Sequence, residues 1–272
     1  MSLLFLALAL LSSDGGVPLA DSLIERPEKP DHFEGYRPTY FLFGDNSDQV
    51  LFQFSFRYNI WPTDGSVQVF FGYTQRSWWE LYDFDNSSPF VENNYSPELI
   101  FRWRYRTKSQ LVEGFDQLQF GYQHQSNGES SNRSRGWDRI YVEQRYVHYF
   151  GEPSLSTPAI RAYLRVWALF GIDDFNNDID DFAGPGELIV DVTSGDTRLG
   201  RFEAELLLRK GGYNLRFDNG TVQTGLRWIP AWPDWVKFTP GVYLQAFFGT
   251  FQSLERYNIR DDAVRIGIYF DT

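Results

Sequence analysis

The sequence has no cysteine, one methionine and three histidines in 272 residues. Without a thiol there can be neither disulfides nor thiolate chemistry. Beyond residue 20 there is also no run approaching the roughly 18 apolar residues that a spanning helix needs. A mean hydropathy of −0.40 and 22% charged residues exclude a bundle of such helices. Basic residues are the minority, with 25 Lys and Arg against 36 Asp and Glu, for a net charge of −11. A phosphate backbone needs a basic surface opposite it, so nucleic acid is excluded as a partner.

What is plentiful is aromatic. Phe, Tyr and Trp reach 25, 16 and 9 residues, 18% of the chain. Many aromatics without a long apolar run suit a membrane barrel that shows lipid only at every second residue. The length allows one large β domain or two ordinary ones, but no internal repeat and no second domain is visible. At the start, Leu3 to Leu11 form an apolar core of signal-peptide length, although no Lys or Arg precedes it. Residues 1–20 are therefore expected to be a signal peptide, cleaved near Ala20. Asp21 to Gly35, with Pro27 and Pro30, is expected to be a periplasmic lead-in without regular structure.

From Tyr36 onward apolar and other residues alternate. Phe52, Phe54, Phe56, Tyr58 and Ile60 share one face of a strand, and Gln53, Ser55, Arg57 and Asn59 take the other. The same pattern sets Leu99, Phe101 and Trp103 against Arg102 and Arg104, and Phe202, Ala204 and Leu206 against Glu203 and Glu205. About twelve such segments fall near 36–44, 50–60, 67–78, 97–106, 115–125, 138–149, 159–170, 185–193, 199–210, 220–229, 236–248 and 262–270. An even number of strands of crossing length predicts an all-β fold, a transmembrane antiparallel β-barrel of about twelve strands over residues 36–272. Arg and Glu opposite the apolar face predict an interior closed by ion pairs and hydrogen bonds, and not a pore. A soluble sandwich or lipocalin-like barrel is the competing fold, but its core would have to absorb nearly all the aromatics. The last segment ends at Phe270 like a terminal assembly signal of outer-membrane barrels, although Asp271 and Thr272 follow it.

Chemistry concentrates in GYQHQSNGESSNRSRGWDRIY, residues 121–141. His124 and Ser126 are two apart, so on a strand they point the same way as Leu118, Phe120 and Tyr122. On a lipid-facing column a bare imidazole and a hydroxyl have no structural use. Asp138 opens the next strand in phase with the apolar Ile140 and Val142. Neighbouring strands can thus bring Asp, His and Ser together on the outside of the barrel. A serine nucleophile needs a base within reach and a third group that holds the base's tautomer. Alone, H-x-S is more often a rim pair than a catalytic one. The polar column and the Asp on the adjoining strand shift that balance. His148 reads as a surface or interfacial residue.

The passage 121–141 closely resembles the catalytic region of the outer-membrane phospholipase A family. YTQRSWWEL at 73–81, SSPFVENNYSPEL at 87–99, NNDIDDFAGPGEL at 176–188 and NGTVQTGL at 219–226 extend the resemblance from about Arg37 to Phe270. It implies a calcium-dependent phospholipase A1/A2 of the bacterial outer membrane, with its active site facing the outer leaflet. The partners implied are membrane phospholipid and a second copy of the chain, active as a homodimer and silent as a monomer. His124 matches the general base, Ser126 the nucleophile, and Asp138 a third member that is often Asn in the family. Gln75 matches a supporting glutamine near that third member, and Gly128 the backbone amide of the oxyanion hole. Calcium ligands map onto the carbonyl of Glu129, the hydroxyl of Ser134 and the carbonyl of Ser88 from the other subunit. A second calcium site is implied at Asp178, but its acidic partner is replaced here by Ser131. Two other classes remain open on the residues alone: a structural or transport barrel with an accidental H-x-S, and a soluble aromatic-lined binding protein.

Overall fold

The computed structural model describes residues 32–44, 50–61, 66–105, 114–154, 156–212, 219–233, 235–236 and 239–271. The expected signal peptide and most of the lead-in lie outside the described residues. Thirteen strands form one antiparallel sheet: β1 Phe33–Gly35, β2 Thr39–Phe43, β3 Val50–Trp61, β4 Val67–Trp79, β5 Phe90–Arg104, β6 Phe115–Ser126 and β7 Gly136–Tyr149, followed by β8 Ala159–Phe170, β9 Gly186–Thr197, β10 Gly200–Lys210, β11 Thr221–Ile229, β12 Thr239–Gly249 and β13 Asp261–Asp271. Each neighbour in sequence pairs with the next from β2 to β13, and β13 returns to β2. The result is a closed barrel of twelve wall positions, as the alternation predicted. Closure removes the sheet edges that lipid could not satisfy.

Three differences from the sequence reading have physical causes. Gly35 was expected to end an irregular lead-in, yet Phe33–Gly35 pairs with β3, Phe33 opposite Tyr58 and Gly35 opposite Phe56. β2 lies along the same edge of β3, with Tyr40 opposite Gln53. Between them, residues 36–38 leave the wall. The Tyr36 hydroxyl donates to Glu98 Oε2 at 3.0 Å and accepts from Arg165 Nη2 at 3.2 Å, which draws this turn to the interior charges. Pro38 cannot donate to a ladder, so the strand resumes only at Thr39. Finally, β5 begins at Phe90 and not near 97. Pro97 interrupts only one of its ladders: towards β6 the pairing skips from Tyr95 opposite Ser126 to Glu98 opposite Gln123.

The interior is polar and paired. Arg165 meets Glu143 at 2.7 Å, Tyr141 donates to Glu98 at 2.9 Å, and Arg209 meets Glu187 at 2.9 Å. A charge taken out of water is tolerated only with such partners. The outer wall is apolar, and Phe101, Phe120, Ile140, Leu164 and Val166 are all exposed on it. At the end where β6 stops and β7 starts, Trp137, Ile179, Ala183, Phe251, Leu254 and Tyr257 form a buried cluster under the loops. This cluster gives the loops at that end a rigid floor.

Candidate active site

β6 and β7 are in register with His124 opposite Asp138 and Ser126 opposite Gly136. Tyr122, opposite Ile140, continues the same outward column. His124 Nδ1 lies 2.9 Å from Asp138 Oδ1, and the Tyr122 hydroxyl donates to that same oxygen at 2.7 Å. A ring nitrogen held by a carboxylate leaves the other nitrogen available towards Ser126. The imidazole side chain is 42% exposed and the carboxylate 19%. No hydrogen bond joins His124 to Ser126 among the described residues. Catalytic contacts of this kind are commonly long in free enzymes and tighten around substrate. The gap in the β5–β6 ladder falls opposite this column, so the backbone at His124 and Gln125 is freed from pairing on one side.

Residues 127–135 return the chain from β6 to β7 around one side chain. Asn127 is 4% exposed. Its Nδ2 donates to the carbonyl of Arg133 at 2.7 Å, and its Oδ1 accepts from the backbone N–H groups of Arg135 at 3.0 Å and Glu129 at 3.3 Å. Gly128 has φ of 71°, and a Cβ there would fall 2.9 Å from Tyr95 Cε2. Glycine is needed on both counts. Ser131, also left-handed with φ of 59°, opens a single 3-10 turn Ser131–Arg133 that ends at Ser134. The Ser134 hydroxyl donates to Asp173 Oδ2 at 2.5 Å. That bond, with the Phe175 N–H, holds the Asp173 carboxyl below the usual carboxylate range. Asn176, 1% exposed, clamps the two loops by bonding both the N–H and the carbonyl of Gly136, at 3.3 and 3.1 Å.

A family model described as phospholipase A1 matches residues 25–270, nearly the whole chain. The chain belongs to the phospholipase A1 family. Phospholipase A1 of Escherichia coli K12 is 30% identical over 225 residues, 81% of this chain and 69% of that protein. Phospholipase A1 of Proteus vulgaris is 29% identical over 227 residues, 82% and 70% of the two chains. Two solved barrels share the fold. Outer membrane phospholipase A from E. coli superposes with a TM-score of 0.71 at 24% identity, covering 91% of this chain and 95% of that one. The Salmonella typhi outer membrane phospholipase, a dimer with bound calcium, gives 0.71 at 24% identity over 90% and 94%. Membership makes this chain a carboxylic ester hydrolase of the phospholipase A1 class, an outer-membrane β-barrel.

The remaining predicted residues of this phospholipase are scattered over the same end of the barrel. Ser88 lies in the loop between β4 and β5, where Ser87 and Ser88 are successive left-handed residues with φ of 64° and 50°. Its carbonyl accepts from Trp79 Nε1 at 2.8 Å and its hydroxyl donates to the carbonyl of Leu81 at 3.0 Å. Among the described residues no hydrogen bond joins Ser88 to Glu129 or Ser134. All three donors are oxygens, one lone pair of the Ser88 carbonyl is unused, and the Ser134 hydroxyl already donates its hydrogen bond to a carboxylate. This set fits a hard cation such as calcium.

Gln75 is not near Asp138. It faces outward on β4, with β5 and β6 between it and β7. There it accepts from Tyr73 at 3.1 Å and donates to Ser77 at 3.1 Å. Strand distance, which motif matching does not report, separates the two. Asp178 does not meet Ser131 either. It accepts a hydrogen bond from Tyr257, and burial and this bond push the Tyr257 phenol up to about 12. One oxygen of its carboxylate is thus bonded at the loop floor. His148 is exposed and packs edge-on against Phe150 at 5.0 Å, a surface position as expected. Sequence reasoning missed Tyr122, Asn127, Asp173 and Asn176. Asn127, in the S-N-G run, and Asn176, in the N-N-D run, lay within quoted motifs. Asp173 carried no signal, because nothing in the sequence relates it to Ser134.

Proposed function

We propose that this chain hydrolyses acyl esters of phospholipid in the outer leaflet, as a phospholipase A1/A2, through Ser126, His124 and Asp138, and that calcium and dimerisation gate it. The observation that carries the reading is the 2.9 Å bond from His124 Nδ1 to Asp138 Oδ1 on a lipid-facing column. Beside that column the outer wall carries an apolar concavity of about 1160 Å³, which runs from Phe101, Phe120 and Tyr122 past Ile140 and Leu164 as far as Phe248. Such a bed suits an acyl chain whose ester reaches the polar end.

Ser126 Oγ attacks the acyl carbonyl carbon as His124 Nε2 takes its proton, and Asp138 stabilises the imidazolium. The Gly128 N–H is the donor assigned to the oxyanion. Collapse breaks the ester bond, and the lysophospholipid oxygen leaves with the proton from His124. Water then attacks the acyl-serine as His124 accepts its proton, releasing the fatty acid and returning the proton to Ser126 Oγ. Glu129, Ser134 and the Ser88 of a second subunit would hold calcium, which when bound supplies positive charge near the oxyanion.

A nucleophile standing in the outer leaflet would consume its own membrane, so a gate is needed. A calcium site split between two subunits is such a gate. By two-fold symmetry it would create two equivalent sites. The test is hydrolysis of dispersed phospholipid by the purified barrel, with calcium or EDTA, wild type against Ser126→Ala. Turnover that needs both calcium and Ser126 supports the reading. Turnover by Ser126→Ala overturns the nucleophile, and full activity in EDTA overturns the gate. Following rate and cross-linked fraction against detergent dilution separates the dimer requirement, since equal specific activity in monomer and dimer would refute it.

A further inference from the structure

Behind the strands that carry the active site, the barrel interior is short of negative charge. β6 and β7 set Gln123 opposite Arg139, the residues next to His124 and Asp138. Arg139 is 5% exposed, and its Nε donates to Gln123 Oε1 at 2.6 Å. The guanidinium lies over the rings of Trp167 and Trp137, 4.4 and 5.1 Å from their centroids. Among the described residues it meets no carboxylate, and its two terminal nitrogens donate to no other residue. A guanidinium carries five N–H donors in one plane. Ring faces offset part of the lost hydration, but they leave those edge donors without acceptors.

Arg139 borders a cavity of about 70 Å³ inside the barrel, together with Arg37, Arg76 and Arg209. Among the described residues on that wall the one carboxylate is Glu187, which pairs with Arg209 at 2.9 Å. Arg76 bonds neutral oxygens, Gln53 Oε1 at 3.2 Å and the carbonyl of Gln252 at 3.3 Å. Arg37 reaches Glu98 at 3.9 Å, but that carboxylate lies equally close to Arg165 and accepts from Tyr36 and Tyr141. Four cations against one anion on a buried wall leave an excess of positive charge, which is costly away from bulk water.

Size and access limit what can offset it. A bound water needs roughly 10–15 Å³ of such space, so the cavity takes one monatomic ion with a few waters and no organic headgroup. Phe251, Gln252 and Ser253, all buried, cover it at the active-site end. Towards the other end it adjoins a polar cavity of about 360 Å³, which shares Arg37, Gln53 and Arg76 with it. A small ion has a polar route in from that side.

We propose that this cavity is a binding site for a small inorganic anion of the halide class, held by Arg139 on β7 and Arg76 on β4. The ion accepts from the terminal N–H groups of Arg139 and offsets the unpaired charge. It braces from inside the two strands whose outer faces carry His124 and Asp138.

The experiment is a thermal melt of the detergent-solubilised full chain in sodium chloride and in sodium gluconate at equal ionic strength. Gluconate has the same charge but is too large for the cavity. Chloride should raise the melting temperature by about 2–4 °C, because an ion that binds only the folded barrel stabilises it by mass action. Arg139→Gln should abolish that rise and Arg76→Gln should at least halve it. Arg260→Gln, on a side chain 64% exposed, should leave it intact. Heat-modifiable migration establishes that each variant is folded, and Arg76→Gln decides if Arg139→Gln is not. Bromide soaked into crystals of the full chain gives the position, with an anomalous peak expected beside the Arg139 guanidinium. Equal melting temperatures of the wild type in the two salts overturn the proposal, as does a chloride effect undiminished in the folded Arg139 or Arg76 variant. Bromide found elsewhere in the barrel and not at Arg139 overturns it as well.

Discussion

Gly171 stands so close over Asp138 that a Cβ on it would fall 2.2 Å from Asp138 Oδ2. The backbone there is also left-handed, with φ of 57°. The loop after β8 therefore covers one carboxylate oxygen while the other accepts from His124 and Tyr122. Gly171→Ala should displace the carboxylate and with it the imidazole. A misplacement of about 1 Å can cost on the order of 10²-fold in rate. We expect kcat to fall by about that factor in a variant that still folds. Unchanged kcat, measured beside heat-modifiable migration, would show that Asp138 tolerates the shift.

Ser126→Ala should abolish turnover and leave the barrel folded. Removing a nucleophile erases the covalent step, typically worth several orders of magnitude. Labelling with a serine-reactive phosphonate offers an independent check, since it should mark the wild type and not this variant.

Asp138→Asn should keep activity within about tenfold of wild type. An amide oxygen can replace Oδ1 as acceptor for both His124 Nδ1 and the Tyr122 hydroxyl. In soluble serine proteases the corresponding change selects the wrong tautomer and costs about 10⁴ in rate. Here the Tyr122 hydroxyl, a donor 2.7 Å from Oδ1, favours the amide orientation that puts oxygen there. Tyr122→Phe combined with Asp138→Asn should then lose far more than either alone. Additive losses in a double-mutant cycle would remove that role from Tyr122.

Asn127→Ala should lower stability and activity together. Its side chain makes three hydrogen bonds to the 127–135 backbone from a buried position. At about 1 kcal/mol each, the loss is roughly 3 kcal/mol. The loop carries Gly128, Glu129 and Ser134, so turnover should fall even below the unfolding transition. Denaturant midpoints and initial rates in calcium check both halves, and loss of stability with full turnover would limit Asn127 to a structural role.

How much of this was legible beforehand follows from the range of each interaction. Alternation along a strand is a property of the backbone, so the wall, its twelve positions and the outward column of Tyr122, His124 and Ser126 could be read residue by residue. The pairing of His124 with Asp138 was readable for a related reason: adjacent strands joined by a short return face each other, and parity then selects the partner. Family resemblance added Gly128, Glu129, Ser134 and Ser88, which periodicity cannot see because they lie in loops.

Tertiary structure alone decided the rest. The inward turn of Tyr36 depends on Glu98 and Arg165, far along the chain. The separation of Gln75 from Asp138 depends on how many strands lie between them. Gly171 over Asp138, Asn176 at Gly136 and Asp173 at Ser134 all come from the loop after β8 packing on the loop before β7. Those contacts join residues some forty positions apart across irregular backbone, where no period links one side chain to another, and only the closed barrel brings them to one place.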